Sequence, residues 1–207
     1  MKPQEIEDLS FKIIEQEAGE HRFNKEQWPI VRRMIHTSAD FEYLDSIRFS
    51  NGAVKNGVQA IQNGCKIFTD TNMARVGIRK KETALFGCNV TCLIADKSVA
   101  QKAKQEGTTR AVKAVDMACD QIKDGIYVVG NAPTALLRLI ELIKAKKANP
   151  ALIIGFPVGF VNAAESKDEL MATDFSYITN KGRKGGSNIA ASIVNALAIM
   201  AAKTAAK

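Results

Sequence analysis

The spacing of apolar positions changes along the chain. In IEDLSFKIIEQEAGEH, the apolar residues 6, 9, 13 and 14 fall on one face of a helix. NKEQWPIVRRMIHTSAD follows. Asn24 is a candidate cap there, and Ile30, Val31, Met34 and Ile35 repeat at helical spacing, which predicts a helix with His36 at its carboxyl end. Beyond it, short apolar runs alternate with helical patterns. IRFS precedes AVKNGVQAIQNG, CKIFTD precedes TNMARVGI, and NVTCLIAD precedes SVAQKAKQEG and TTRAVKAVDMACDQIKDG. IYVVGN then precedes APTALLRLIELIKAKK, ALIIGFP precedes a loop and a short acidic helix, and FSYITNKG precedes SNIAASIVNALAIMAAK. Alternation of this kind predicts a mainly parallel sheet covered by helices on both faces. IYVVG and ALIIG lack a two-residue period, as strands buried on both faces do. There is no internal repeat, low-complexity tract or linker. The expectation is one three-layer α/β domain over residues 1–207 with an N-terminal helical segment.

Composition narrows the function classes. With 46% hydrophobic and 25% charged residues, the chain can bury a sizeable core. The polar start MKPQEIEDLSFK lacks the apolar run of a signal peptide. No uninterrupted apolar stretch approaches the roughly 18 residues of a membrane span. A cytoplasmic protein without a membrane partner is expected. The net charge of +7 attracts anions. The basic residues are scattered, and aromatics make up only 6%. That leaves no stacking platform for single strands and favours a small anionic ligand over nucleic acid.

Of the four cysteines, Cys65, Cys88, Cys92 and Cys119, none forms C-x-x-C. Cys88 and Cys92 lie four apart in an apparent strand and would face one side, but no second ligand pair accompanies them. Buried free thiols in a reducing compartment are expected, with no metal site.

In parallel sheets ligands bind beyond the carboxyl ends of the strands. Four such ends carry suggestive residues: Asp70-Thr71-Asn72, Gly130 to Thr134, Gly155 to Gly159, and Lys181 to Ser187. The last combines basic side chains with a glycine-rich turn at a helix amino end, a setting for carboxylate or phosphate. No turn is a P-loop or a G-x-G-x-x-G fingerprint, so no nucleotide cofactor is expected. His36 reads either as an acid near neutrality or as a helix-end residue on the dipole. His21 reads as a surface or cap residue. Ser10 sits within a helical pattern. Arg110 sits in a first helical turn, where a cation is unfavourable, which points to another reason for its presence; pairing with a ligand carboxylate or with a protein acid are the two options. Arg75, Arg183 and Lys184 are further candidates for carboxylates. Asn131 is a candidate for capping the next helix or for binding ligand. Glu165 and Asp168 fit the start of a short helix, or a carboxylate pair.

Taken in order, SF-x-I-I, RMIH, GTTR, GNAPTAL, GFPVGFV-AAESK and GR-x-GGS resemble the precorrin-8X methylmutase family from about Ser10 to the last helix. The resemblance implies a flavodoxin-like three-layer fold, a homodimer with active sites near the subunit interface, and no cofactor. It implies an isomerase of cobalamin biosynthesis that moves a methyl group from C-11 to C-12 of a polycarboxylated corrin precursor. The product is hydrogenobyrinate, or cobyrinate where the substrate carries cobalt. It places the catalytic histidine at His36 and substrate contacts at Ser10 and Arg110. One departure is Thr108, where the family often has Asn. The competing reading is an α/β binding module for another anionic metabolite or nucleotide.

Overall fold

The helical spacing at the amino end forms two helices in the computed structural model, which describes residues 1–205: α1 (Pro3–Ala18) and α2 (Trp28–Ser38). A proline sits in the first turn of each, where its missing N–H costs nothing. The Asn24 side chain closes the turn ahead of α2 by accepting the backbone N–H groups of Glu26 and Gln27, each at 2.9 Å. α2 ends on Ala39, whose left-handed backbone (φ 52°) lets its N–H reach the Ile35 carbonyl.

The alternating elements follow as α3 (Tyr43–Ser46), β1 (Ile47–Phe49), α4 (Ala53–Gln62), β2 (Lys66–Thr69), α5 (Asn72–Gly77) and α6 (Lys80–Ala84). Next come β3 (Asn89–Thr91), α7 (Lys97–Gln105), α8 (Arg110–Ala118), β4 (Ile126–Val129) and α9 (Pro133–Lys144). β5 (Leu152–Gly155), α10 (Ala163–Met171), β6 (Tyr177–Asn180) and α11 (Ser187–Ala205) complete the order. The sheet runs β1-β6-β5-β4-β2-β3; β1 is antiparallel to β6 and every other pair is parallel. Counted among themselves, the parallel strands follow the flavodoxin-like order 2-1-3-4-5.

One face of the sheet is covered by α2, α4 and α11, with Ile30, Met34, Ile61 and Ile193 in its core. The other is covered by α8, α9 and α10 over Val115, Tyr127, Leu136 and Leu170. β4 and β5 are buried along their whole length. α11 is long and apolar enough to cross a bilayer by length and composition alone. Its apolar residues instead enter the first core, where it packs against α2, α4 and α5.

The cysteine expectation changes. β3 is only three residues long, so Cys88 and Cys92 flank it instead of lying within it. Cys88 meets Cys65 and points its thiol at the Ile61 carbonyl, while Cys92 lies beside Thr69. All four thiols are free, and each is half-buried instead of fully buried.

Candidate active site

Phe11 joins α1 to α2 and sets the position of His36. Its ring lies 5.1 Å from the His36 ring, tilted by 57°. The Arg32 and Arg33 guanidinium groups lie over the same phenyl ring, at 4.3 and 5.2 Å. Both arginines also bridge back to α1, through Glu15 and Glu7. The histidine is therefore braced from below while its outer edge stays exposed. A hollow of about 320 Å³ opens beside it, lined by Ser10, Ile13, Glu17, His36, Ala39 and Phe41 among others. Ser10 donates its hydroxyl proton to the Ile6 carbonyl at 2.8 Å, which leaves the oxygen lone pairs as acceptors. A wider hollow of about 430 Å³ lies ahead of β6 at the amino end of the strands, away from these residues.

The segment after α2 ties this hollow to the carboxyl end of β6. Lys184, in the β6–α11 loop, pairs with Asp40 at 2.6 Å and Glu42 at 2.9 Å. Burial pushes the Asp40 carboxyl up, but hydrogen bonds from Lys184 and the Glu42 backbone N–H, with the lysine's charge, bring it below its usual value. The two carboxylates hold the Lys184 ammonium above its usual value. Beneath the loop, Lys167 is 0% exposed and donates to Asn180 Oδ1 at 3.2 Å and to the Lys184 carbonyl at 2.7 Å. It has no carboxylate partner among the described residues, and burial pushes its pKa down to about 8. Gly185 has room only as glycine, because a Cβ there would run into the Phe156 carbonyl.

The remaining candidates lie along the carboxyl edge but outside the hollow. Arg183 is exposed, with its guanidinium 5.5 Å from the Phe160 ring. Phe160 is 83% exposed and Val161 77%. Arg75 is exposed on α5 and donates to Asn72. Arg110 opens α8, whose cap is the Thr109 hydroxyl accepting the Val112 N–H. No ion pair engages Arg110 among the described residues, so the protein-acid alternative has no partner there. Because α8 feeds the amino end of β4, Arg110 sits at the carboxyl edge, but on the sheet face opposite His36. Asn131 does not cap α9: Ala132 holds that position without a side-chain bond, and the Asn131 side chain is exposed. Glu165 and Asp168 both lie exposed on α10. His21 stacks on Trp28 at 4.0 Å, a surface residue as expected.

Three residues of this region had no decisive sequence signal. Phe11 could have been found from its place beside Ser10 in the S-F motif. Lys167 and Asp70 are polar residues whose burial follows only from the packing of distant elements. The sequence from Asp70 to Asn72 had marked a strand end; what it could not convey is that the Asp70 carboxylate is turned inward against the β4–α9 turn.

Comparison with known proteins supplies a match over nearly the whole chain. The family described as CbiC: Precorrin-8X methylmutase matches residues 5–200. The cobalt-precorrin-8 methylmutase of Priestia megaterium is 46% identical over 97% of this chain and 89% of its own. The protein of the same name from Salmonella typhimurium is 44% identical over 95% of this chain and 94% of its own. The crystal structure of precorrin-8x methyl mutase from Thermus thermophilus superimposes with a TM-score of 0.92 at 46% identity, covering 97% of both chains.

Proposed function

The chain belongs to the precorrin-8X methylmutase family, isomerases of cobalamin biosynthesis, and on that premise we propose that it moves a methyl group from C-11 to C-12 of a corrin precursor with His36 as proton donor. The observation that carries the residue assignment is an exposed imidazole, braced by Phe11, at the mouth of a hollow that also holds Ser10. The reaction is an intramolecular shift with no net change in protons or electrons. Transient protonation polarises the conjugated macrocycle and lowers the barrier to migration. Histidine suits a proton that must be given and regained near neutrality. In a metal-free substrate a ring nitrogen takes the proton. In a cobalt-bearing one the nitrogens ligate the metal, and the proton goes to the carbon framework. The names of the Priestia and Salmonella relatives favour the cobalt-bearing substrate.

The carboxyl edge suits the rest of a flat ring fringed with carboxylates. Phe160 and Val161 offer apolar surface, and Arg183, Arg75, Arg110 and Asn131 offer donors around it. The 320 Å³ hollow sits at the low end of the roughly 300–1,000 Å³ of small-ligand sites, so it takes one edge of the macrocycle. A homodimer completes the enclosure: Ile6, Leu9 and Ile13 form an exposed apolar stripe on α1 next to Ser10. The protein works in the cytoplasm, with neither nucleic acid nor membrane as partner and no resident cofactor. The test is turnover of the C-11-methylated precursor, with and without cobalt, followed by visible absorption and by locating the methyl group in the product by NMR. Migration to C-12 is expected; an unchanged substrate in both forms overturns the assignment.

A further inference from the structure

The winding of the parallel sheet reverses between β2 and β4, with β3 on one side and β4, β5 and β6 on the other. Crevices at such reversals are where sheets of this class take ligands, with anions on the helix amino end. Here the protein fills the crevice itself. Asp70 immediately follows β2 and is 2% exposed. Its Oδ1 accepts the Gly130 N–H at 2.8 Å, and its Oδ2 accepts the N–H groups of Asn131 and Ala132, each at 2.8 Å. All three donors belong to the turn between β4 and α9. Burial holds the carboxyl pKa above its usual value even though these donors pull it down. Both oxygens accept and neither donates, the pattern of an ionised carboxylate.

The same turn is pressed from its other side. A Cβ on Gly130 would lie 2.6 Å from Ser187 Cα, so only glycine permits this approach to the amino end of α11. Thr71, next to Asp70, bonds the Ser187 hydroxyl at 2.7 Å. The turn is thus fixed by β2 on one side and α11 on the other. Its one long polar side chain left outside is Asn131, exposed at the carboxyl edge.

We propose that Asp70 is a positioning residue: an internal anion that occupies the ligand crevice of the fold and aims Asn131 at the substrate. This rests on the reading of the carboxyl edge as the substrate bed. The arrangement also has a selective effect. A carboxylate or phosphate from outside finds the Gly130, Asn131 and Ala132 N–H groups already engaged, with a negative charge facing them. The substrate is therefore received towards the His36 side.

The test compares Asp70→Asn, Asp70→Ala, Asn131→Ala and the Asp70→Asn/Asn131→Ala double variant in steady-state turnover of the corrin precursor. Losing one uncharged contact should raise KM about 3- to 10-fold with kcat largely kept in Asn131→Ala. Asp70→Asn should raise KM at least as much, because its amide turns a donor towards N–H donors. The double variant should be no worse than Asp70→Asn alone. Additive effects, or a wild-type KM in Asp70→Asn, would overturn the proposal. A second measurement does not depend on activity. Formate should raise the melting temperature of Asp70→Ala saturably, by refilling the vacated carboxylate position, and should not do so in wild type. Equal effects of formate and chloride in both proteins would also overturn it. Failure of the wild-type enzyme to move the methyl group would instead count against the functional reading and leave the formate result standing.

Discussion

His36 stands at the end of α2 with its outer edge free and Phe11 beneath it, so its replacement separates chemistry from stability. In His36→Ala the product should still bind, because the proposed carboxylate contacts lie on other residues. Single-turnover rate should fall roughly 100-fold or more, the scale of one positioned general acid. Stability should fall by about 1–2.5 kcal/mol at most, from the lost contact with Phe11 and the lost place at the helix end. Asparagine should do little better than alanine, since it hydrogen-bonds but transfers no proton. Single-turnover kinetics and melting temperature on one sample check this; a folded variant with wild-type turnover would end the catalytic role. The position of this histidine was legible in the sequence, because four apolar residues at helical spacing lead into it. Its brace was not. Phe11 meets His36 across two helices, 25 residues away, and period alone does not give the angle at which α1 crosses α2.

Elements were legible in proportion to their length. The long periodic stretches became α1, α2, α9 and α11, and the unalternating runs became the central strands β4 and β5. α3 and α6 were not foreseen, because four or five residues are too few to display a helical period. Nor was the antiparallel setting of β1, which depends on pairing with β6 more than 120 residues later. Lys167 belongs at this scale too, because it joins α10 to the β6–α11 loop. Its pKa is about 8 in the folded chain and 10.5 at its ordinary value. Between these values the unfolded chain keeps a proton that the folded chain has released. This lysine's contribution to stability therefore rises with pH across that window, and its penalty is fully present below it. A single group gives a slope of at most about 1.4 kcal/mol per pH unit. Denaturant melts from pH 7.5 to 10.5 should show a more positive slope for wild type than for Lys167→Met. Parallel slopes would mean that Lys167 titrates as an ordinary surface lysine.

At the scale of the whole molecule, His36 and Arg110 lie on opposite faces of one sheet. We propose that the homodimer brings the Arg110 of one chain to the His36 of the other, so that one substrate touches both. This makes a sharp prediction about mixtures. His36→Ala and Arg110→Ala homodimers should each be nearly inactive alone. After mixing and subunit exchange, half of the dimers are hybrids, each with one intact site. Activity should then return to about a quarter of wild type. No recovery, with exchange verified by mass spectrometry, would place both residues of each site on one chain. The pattern of apolar runs conveys the layers but not this separation, which comes from the side of the sheet each crossover takes.

α11 carries a consequence for how the protein is made. It is the last element in the chain order, yet it is the centre of the core that covers α2 and α4. At about 5–20 residues per second, translation from α2 to the end of α11 takes roughly 9–36 s. Through most of that time the apolar faces of α2 and α4 are on the growing chain with nothing to close over them. The helix that carries the candidate catalytic histidine is made well before α11 and is seated only with it. Nascent chains stalled before α11 should therefore be chaperone clients, and refolding should regain secondary structure well before it regains the histidine's surroundings.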